Sequence, residues 1–196
     1  MRIISGRSRG RRLLTPKTNR AKAPLIRPTS DKAREALFNI IGTRIVGARV
    51  LDLFAGTGAL GLEALSRGAD QVIFVDDSSY ACALIAENCR LCQAEDSSLI
   101  LRRNLRKTPR FLTKLSVERP FDLIFMDPPY GKAFVGNLLY FLAKSEGVLA
   151  EHGSIIVEEA AGTHLPDRCQ DLVLKERRLY GKTEFGFYQR SREQDE

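Results

Sequence analysis

Residues 50–61 read VLDLFAGTGALG, and this stretch decides which class of fold the chain adopts. Its first part, residues 50–54, is a short apolar run of the kind that forms a buried parallel strand. Glycines at 56, 58 and 61 follow with the spacing G-x-G-x-x-G. After a strand and before a helix, this spacing predicts a loop that binds a nucleotide, because glycines let the backbone approach a ligand closely. A tight strand-to-helix turn without a ligand is the alternative explanation.

Strand and helix patterns alternate through the rest of the chain. Further apolar runs predict strands at residues 72–75, 98–101, 121–125 and 154–157, with helices between most of them. Such alternation predicts an α/β fold, in which a mostly parallel sheet is covered by helices on both faces. Two late runs, 172–175 and 184–188, have no long helix between them and predict an antiparallel hairpin. Ligands of a sheet of this kind bind at the carboxyl ends of its strands.

An acidic residue ends the strand predicted at residues 72–75. Asp76 lies 20 residues after Gly56, and a carboxylate at this point can accept hydrogen bonds from both hydroxyls of a ribose. The glycine loop and Asp76 suit NAD and S-adenosylmethionine equally well. These two features therefore leave redox chemistry and methyl transfer open.

The sequence Asp127-Pro128-Pro129-Tyr130, which follows the strand at 121–125, favours methyl transfer to an amine. The lone pair of an exocyclic base amine is delocalised into the ring, so the amine is a poor nucleophile. Two acceptors aimed at its N–H groups, the Asp127 carboxylate and the Pro128 carbonyl, would draw the nitrogen towards a tetrahedral shape. The stiff Pro-Pro unit fixes the direction of that carbonyl, and Tyr130 offers a face on which an extruded base stacks. The alternative is an incidental turn at the end of a strand.

The positive charge of the chain is concentrated at its N-terminus. Residues 1–34 carry eight arginines, three lysines and one acidic residue, or +10, whereas the rest of the chain carries −3, for a total of +7. Such an arm attracts phosphate groups, and it predicts a nucleic-acid partner; a solubilising tail is the alternative. The predicted contacts are Arg2, Arg7, Arg9, Arg11, Arg12, Arg27, Lys32 and Arg34. Arginines and a lysine at 102–110 form either a second phosphate surface or a solvated loop.

A helix follows this arm. Thr29 or Ser30 is suited to cap its N-terminus, and Gly42 is suited to end it. Apolar residues at 33, 36, 37, 40 and 41 form a stripe that packs on the body, so that Arg27, Lys32 and Arg34 are expected at the exposed start of the helix.

The motifs at Asp52–Gly58, Asp76 and Asp127–Tyr130 together resemble those of class I S-adenosylmethionine-dependent amino-methyltransferases. More specifically, Met1–Gly6, Arg9–Arg11 and Arg27–Asn39 resemble the RsmD family, whose members methylate N2 of a guanine in bacterial 16S ribosomal RNA. The resemblance extends over nearly the whole chain, and the N-terminal segments are its specific part. In relatives a phenylalanine often stands at the position of Tyr130, and stacking survives that exchange.

The resemblance implies a Rossmann-like fold with a seven-stranded sheet whose last strand is antiparallel. It implies S-adenosyl-L-methionine as the cofactor, with Asn104 beside the adenine. The full set of predicted cofactor contacts is Asp52, Phe54, Ala55, Gly56, Thr57, Gly58, Asp76 and Asn104. It also implies 16S ribosomal RNA as the partner, in an assembled or assembling 30S subunit. Residues 1–42 are expected to be an RNA-binding arm and helix, residues 43–190 the methyltransferase domain, and residues 191–196 a frayed tail.

Other function classes receive less support. An NAD(P)-dependent oxidoreductase leaves the Asp127–Tyr130 motif and the basic arm unexplained. A DNA adenine-N6 methyltransferase shares the chemistry, and only the arm opposes it; an RNA-binding assembly factor without catalysis is opposed by Asp127. The chain has two histidines and four cysteines, and Cys89 and Cys92 form a lone C-x-x-C within a helical pattern, so no metal site is expected. We expect a cytoplasmic monomer without a membrane span.

Overall fold

The computed structural model describes residues 1–16, 30–105, 109–128 and 134–191. Within these residues the helices are α1 (Asp31–Ile41), α2 (Ala59–Ser66), α3 (Ser79–Cys92), α4 (Phe111–Leu115) and α5 (Phe134–Lys144), with a short 3-10 helix at Gly42–Ile45. The strands are β1 (Arg49–Leu53), β2 (Gln71–Asp76), β3 (Ser98–Arg102), β4 (Phe121–Met126), β5 (Leu149–Ala160), β6 (Arg168–Cys169), β7 (Leu172–Tyr180) and β8 (Thr183–Arg190). No helix in the described ranges is long and apolar enough to cross a membrane.

All the described strands join one sheet in the order β3-β2-β1-β4-β5-β8-β7-β6. The first five strands of this order are parallel, and β8 pairs antiparallel with both β5 and β7. The predicted α/β class, the hairpin of β7 and β8, and the antiparallel last strand are thus confirmed. The predicted number of seven strands is corrected to eight, because β6 adds a two-residue strand beside β7. A strand of two residues is too short to show an alternating pattern in the sequence.

The sheet separates two layers of core. Successive residues of a strand point to opposite faces, so Val50 belongs to one apolar cluster and Leu51 to the other. The cluster with Val50 includes residues of α1, α2 and α3, whereas the cluster with Leu51 includes residues of α4 and α5. Because both faces are covered there, the central strands β1, β2 and β4 are almost wholly buried, and their carboxyl ends form the edge at which a ligand can reach them.

The N-terminal residues form a hairpin-like arm that packs on the body. Arg2 and Arg12 make an antiparallel bridge, and the side chains of Ile3 and Leu13 are buried in the same cluster as Val50. The backbone N–H groups of Ile4 and Ser5 donate to the carboxylate of Glu63 on α2, at 2.8 and 3.0 Å. The arm is therefore held by core packing and by hydrogen bonds to α2.

Helix α1 begins and ends as its sequence predicts. The hydroxyl of Ser30 accepts a hydrogen bond from the backbone N–H of Ala33 at 3.2 Å, which makes Ser30 the N-cap. Gly42 ends the helix with a φ of 59°, in the left-handed region that glycine adopts readily. The apolar face of the helix buries Leu37, Phe38 and Ile41 against the sheet.

Candidate active site

The candidate site lies where the parallel strands β2, β1 and β4 end side by side. In the sheet register Leu53, the last residue of β1, is paired with Val75 of β2 and with Met126 of β4. The glycine loop, Asp76 and Asp127 follow these three positions directly, so the structure brings the three predicted motifs to one edge of the sheet. Strand order reverses between β2 and β4 on either side of β1, and this is where an open α/β sheet forms a ligand crevice.

The glycine loop has a backbone that most residues adopt at a cost. Gly56 and Gly58 have φ angles of 56° and 75°, and Phe54 also lies in the left-handed region at 61°. The N–H of Gly56 donates to Asp76 Oδ2 at 2.9 Å, and the N–H of Ala55 donates to the carbonyl of Val75 at 3.1 Å. The loop that starts from β1 is thus fixed by the end of β2.

Gly61, the last glycine of the pattern, serves packing. A Cβ atom at Gly61 would lie 2.3 Å from the ring of Phe74 and 2.7 Å from a methyl group of Val72, so α2 rests directly on β2 at this point. This close approach of helix to strand is the role of the third glycine in nucleotide-binding loops.

Asp76 is half-buried at the end of β2, and its two oxygens already accept hydrogen bonds. Oδ2 accepts from Gly56, and Oδ1 accepts from the N–H of Ser78 at 2.9 Å. Burial raises the pKa of Asp76, while these two hydrogen bonds lower it. Each carboxylate oxygen has a second lone pair, so Asp76 retains the capacity to accept from two hydroxyl groups of a ribose.

Asp52 supports the loop from below. Its side chain is buried, and Oδ2 accepts a hydrogen bond from the N–H of Gly61 at 3.0 Å, near the N-terminus of α2. Burial raises the pKa of Asp52 to about 7, and the negative charges of Asp76 and Glu158 act in the same direction. A positively charged ligand in the crevice would favour the ionised form of this carboxyl group.

Asp127 lies directly after β4, half-buried, beside the end of β1. Its N–H approaches the carbonyl of Leu53 at 3.4 Å, and Pro128 behind it is buried. Burial raises the pKa of Asp127 well above its ordinary value, and the charges of Glu158 and Asp52 raise it further. The predicted partners Pro129 and Tyr130 lie outside the described residues.

Glu158 lies at the same edge and is not among the residues predicted from the sequence. This residue is 3% exposed near the end of β5, and among neighbouring charges it has the largest effect on the pKa of Asp127. The strand at 154–157 was predicted, and Glu158 follows it directly, so the rule that selected Asp76 and Asp127 also selects Glu158. The carboxyl groups of Asp52 on β1, Asp127 just after β4 and Glu158 on β5 thus lie near enough to one another for their charges to interact.

The remaining predicted cofactor contacts surround this edge. The ring of Phe54 packs at 5.7 Å, centroid to centroid, against Phe134 at the start of α5. Thr57 is buried, and Asn104 is exposed two residues beyond β3, on the far side of β2. No group of His, Cys, Asp and Glu side chains in the described part of the chain is arranged to hold a metal ion.

The basic arm presents most of its predicted phosphate contacts to solvent. Arg2, Arg7, Arg9, Arg11, Arg12 and Lys32 are exposed. Residues 7–12 line an open concave surface, in which four arginines surround one serine and one glycine. Such a surface can contact several phosphates at once. Arg27 lies outside the described residues.

The prediction that Arg34 lies at the exposed start of α1 is wrong. Its side chain is 0% exposed; Nη2 contacts Asp31 at 3.0 Å, and Nε lies 3.9 Å from Glu63. The physical reason is helical periodicity, since residue 34 shares its face with residues 37, 38 and 41, which pack on the core. Arg34 therefore fixes α1 to α2 and to the arm, whose Arg2 carbonyl accepts a hydrogen bond from it. In this position it is not available to a phosphate.

Known proteins are similar to this chain over nearly its full length. The model of the family described as "Conserved hypothetical protein 95" matches residues 1–189. YlbH of Bacillus subtilis (strain 168) is 35% identical over 97% of this chain and 99% of its own length. "Ribosomal RNA small subunit methyltransferase D" of Escherichia coli (strain K12) is 32% identical over 97% of this chain and 90% of its own length. The solved structure of yhhF from Escherichia coli matches with a TM-score of 0.78 and 31% identity, over 97% of this chain and 98% of that one.

Proposed function

This chain belongs to the family described as conserved hypothetical protein 95, the RsmD family, and on that premise we propose that it transfers a methyl group from S-adenosyl-L-methionine to the exocyclic N2 amine of a guanine in 16S ribosomal RNA. The observation that carries the proposal is the position of Asp127 and Pro128, which directly follow β4 beside the glycine loop of β1. The name of the Escherichia coli relative, a small subunit ribosomal RNA methyltransferase, supports the choice of RNA.

The residues present fit this cofactor. S-adenosyl-L-methionine is a nucleoside that carries its methyl group on a positively charged sulfur. Asp76 has free lone pairs for the ribose hydroxyls. Gly56 and Gly58 carry no side chains, so a ligand can approach the backbone of the loop closely at these positions. Asp52, Asp127 and Glu158 lie at this crevice, and a positively charged cofactor would favour the ionised forms of Asp52 and Asp127, whose pKa values are raised without it.

Asp127 and Pro128 orient and activate the target amine. The carboxylate of Asp127 accepts one N–H of the amine, and the carbonyl of Pro128 accepts the other, which localises the lone pair on nitrogen. S-adenosyl-L-methionine, when bound, would supply the methyl group: the lone pair would form the new N–C bond as the S–C bond breaks, and the S–C electron pair would leave with sulfur. The nitrogen then carries one proton too many, and the Asp127 carboxylate is positioned to accept it. Most of the rate enhancement comes from in-line placement of the two substrates.

The exposed arginines of the arm hold the phosphate backbone of the RNA. Four of them lie within residues 7–12, on one concave surface. This contact carries affinity without sequence information, so the choice of nucleotide rests on the shape of the RNA around the target base. We further propose that the enzyme acts as a monomer in the cytoplasm, on a 30S subunit that is assembled or being assembled.

The test is identification of the methylated nucleoside. Purified protein is incubated with labelled S-adenosyl-L-methionine and, separately, with naked 16S RNA, 30S particles and duplex DNA. The modified nucleic acid is then digested and analysed by mass spectrometry. We expect N2-methylguanosine in one fragment of 16S RNA. N6-methyladenosine, or transfer to DNA alone, would overturn the proposal in favour of an adenine methyltransferase; absence of transfer to every substrate would favour a binding protein without catalysis.

A further inference from the structure

Asn88 connects the basic arm to the glycine loop. This residue lies on α3 and is 0% exposed. Its amide oxygen accepts a hydrogen bond from the backbone N–H of Leu14 at 2.7 Å. Its amide nitrogen donates to the carbonyl of Leu14 at 3.1 Å and to the carbonyl of Thr57 at 2.9 Å. One buried side chain therefore binds the backbone of both the arm and the glycine loop.

On the loop side, Asn88 fixes a single peptide plane. The carbonyl of Thr57 accepts from Asn88, and the N–H of Gly58, at the other end of the same peptide group, donates to the carbonyl of Ala55 at 2.7 Å. A peptide group is planar, so these two contacts together set its rotation. This plane lies within the predicted cofactor loop, between residues with which the cofactor is expected to make contact.

On the arm side, Asn88 fixes the point at which the arm leaves the body. Leu13 is buried in the core, and both polar backbone groups of the next residue, Leu14, are bonded to Asn88. The exposed basic residues Arg9, Arg11 and Arg12 precede this point directly. A ligand that binds these cations therefore acts on the chain segment that is fixed at Leu14.

We propose that Asn88 is a positioning residue that couples RNA binding at the arm to cofactor binding at the glycine loop. The amide cannot turn away from Leu14 without also losing Thr57, and buried polar groups without partners are costly. A ligand that holds the arm in place therefore also holds the peptide group between residues 57 and 58 in place. Binding of the second ligand then costs the protein less conformational entropy. The coupling is reciprocal, so either ligand tightens binding of the other. The choice of RNA as the arm's ligand rests on the function proposed above.

The direct test measures the affinity for S-adenosylhomocysteine, which does not react, with and without saturating 16S RNA transcript. In the unaltered protein we expect RNA to tighten this affinity by about five-fold or more, the lower end of measured couplings. Asn88→Leu, which keeps the branching and the number of heavy atoms of the side chain and removes all three hydrogen bonds, should bring the ratio close to one. Ser66→Ala is the matched control: it removes the hydroxyl that accepts from the N–H of Ser8, so it loosens the arm tip at α2 and leaves Asn88 intact. In Ser66→Ala, RNA should tighten the affinity for S-adenosylhomocysteine as much as it does in the unaltered protein.

A second measurement needs no RNA. Saturation with S-adenosylhomocysteine should slow hydrogen exchange of the Leu14 amide several-fold in the unaltered protein, and should not do so in Asn88→Leu. If the transcript does not bind, the RNA proposal fails while the exchange experiment still decides the coupling. A different result would refute the coupling alone: both ligands bind, RNA leaves the affinity for S-adenosylhomocysteine unchanged, and exchange of the Leu14 amide does not respond to S-adenosylhomocysteine. The proposed function would then stand. These two results on the unaltered protein decide the matter even if Asn88→Leu does not fold.

Discussion

At the scale of single residues, Asp127 separates binding from chemistry. In the proposed reaction its carboxylate is used most strongly as the amine becomes tetrahedral, so Asp127→Ala should lower kcat by about two orders of magnitude or more, the scale of losing one preorganised electrostatic group. The affinity for S-adenosylhomocysteine should change far less. The kcat of Asp127→Asn, which keeps one acceptor oxygen, should lie between that of the unaltered protein and that of Asp127→Ala. Single-turnover kinetics on 30S particles checks this, and near-normal turnover of Asp127→Ala would mean that the motif has another role.

The buried carboxyl groups make a prediction about stability and pH. The pKa of Asp52 is about 7 in the folded protein and near its ordinary value of 3.8 in the unfolded chain, so the folded state binds more protons between these values. Stability without cofactor should therefore be greatest below pH 4 as far as Asp52 is concerned, and should fall as pH rises to 7, by on the order of 3–4 kcal/mol. The raised pKa values of Asp76 and Asp127 act in the same direction.

Urea denaturation between pH 5 and 8 measures this effect. Asp52→Asn should flatten the pH dependence and be relatively more stable at pH 8, because the amide oxygen can still accept from Gly61. Asp96→Asn, at an exposed residue before β3 and away from this edge, is the control and should leave the slope unchanged. A slope that Asp52→Asn does not alter would show that Asp52 is ionised at neutral pH in the free protein.

At the scale of elements, the parallel strands were predictable because burial on both faces leaves continuous apolar runs in the sequence. The glycine spacing and the acids at strand ends then predicted three motifs that the structure brings to one edge of the sheet. Glu158 could have been predicted from the same rule, because it follows a predicted strand. The burial of Arg34 could have been predicted from helical periodicity, because residue 34 lies on the same face as Leu37 and Phe38. The packing of the arm could not be predicted in this way, since its two buried side chains, Ile3 and Leu13, form no periodic pattern. In addition, its main hydrogen bonds run from backbone N–H groups of the arm to the side chain of Glu63.

The arm makes an electrostatic prediction that leaves its packing intact. Arg9 and Arg11 are exposed, so Arg9→Gln with Arg11→Gln should remove phosphate contacts without disturbing the core. Affinity for 16S RNA should drop, and the slope of its logarithm against log salt should become shallower by about one unit or more, because fewer counterions are released. Arg178→Gln, an exposed residue on β7, is the matched control. Equal salt slopes in the double variant and the unaltered protein would exclude these arginines as phosphate contacts.

At the scale of the whole molecule, arm and body form one core. Removing residues 1–13 would take Ile3 and Leu13 out of the cluster that contains Val50 and Phe74. It would also leave Glu63 without the N–H groups of Ile4 and Ser5, and so with the charge of a buried carboxylate less well compensated. Two large apolar side chains and these hydrogen bonds are together of the same order as the net stability of a domain, about 5–15 kcal/mol.

We therefore expect the protein without residues 1–13 to lose cooperative unfolding, or to melt at least about 10 °C lower. Circular dichroism during heating is the measurement, with Arg9→Gln and Arg11→Gln as the control that changes charge alone. If the shortened protein melted like the full chain, the arm would be a separate unit and its hydrogen bonds to Glu63 would contribute little. Since the arm belongs to the core, loss of RNA binding after truncation would not identify a phosphate contact, and only substitutions that keep Ile3 and Leu13 in place can do so.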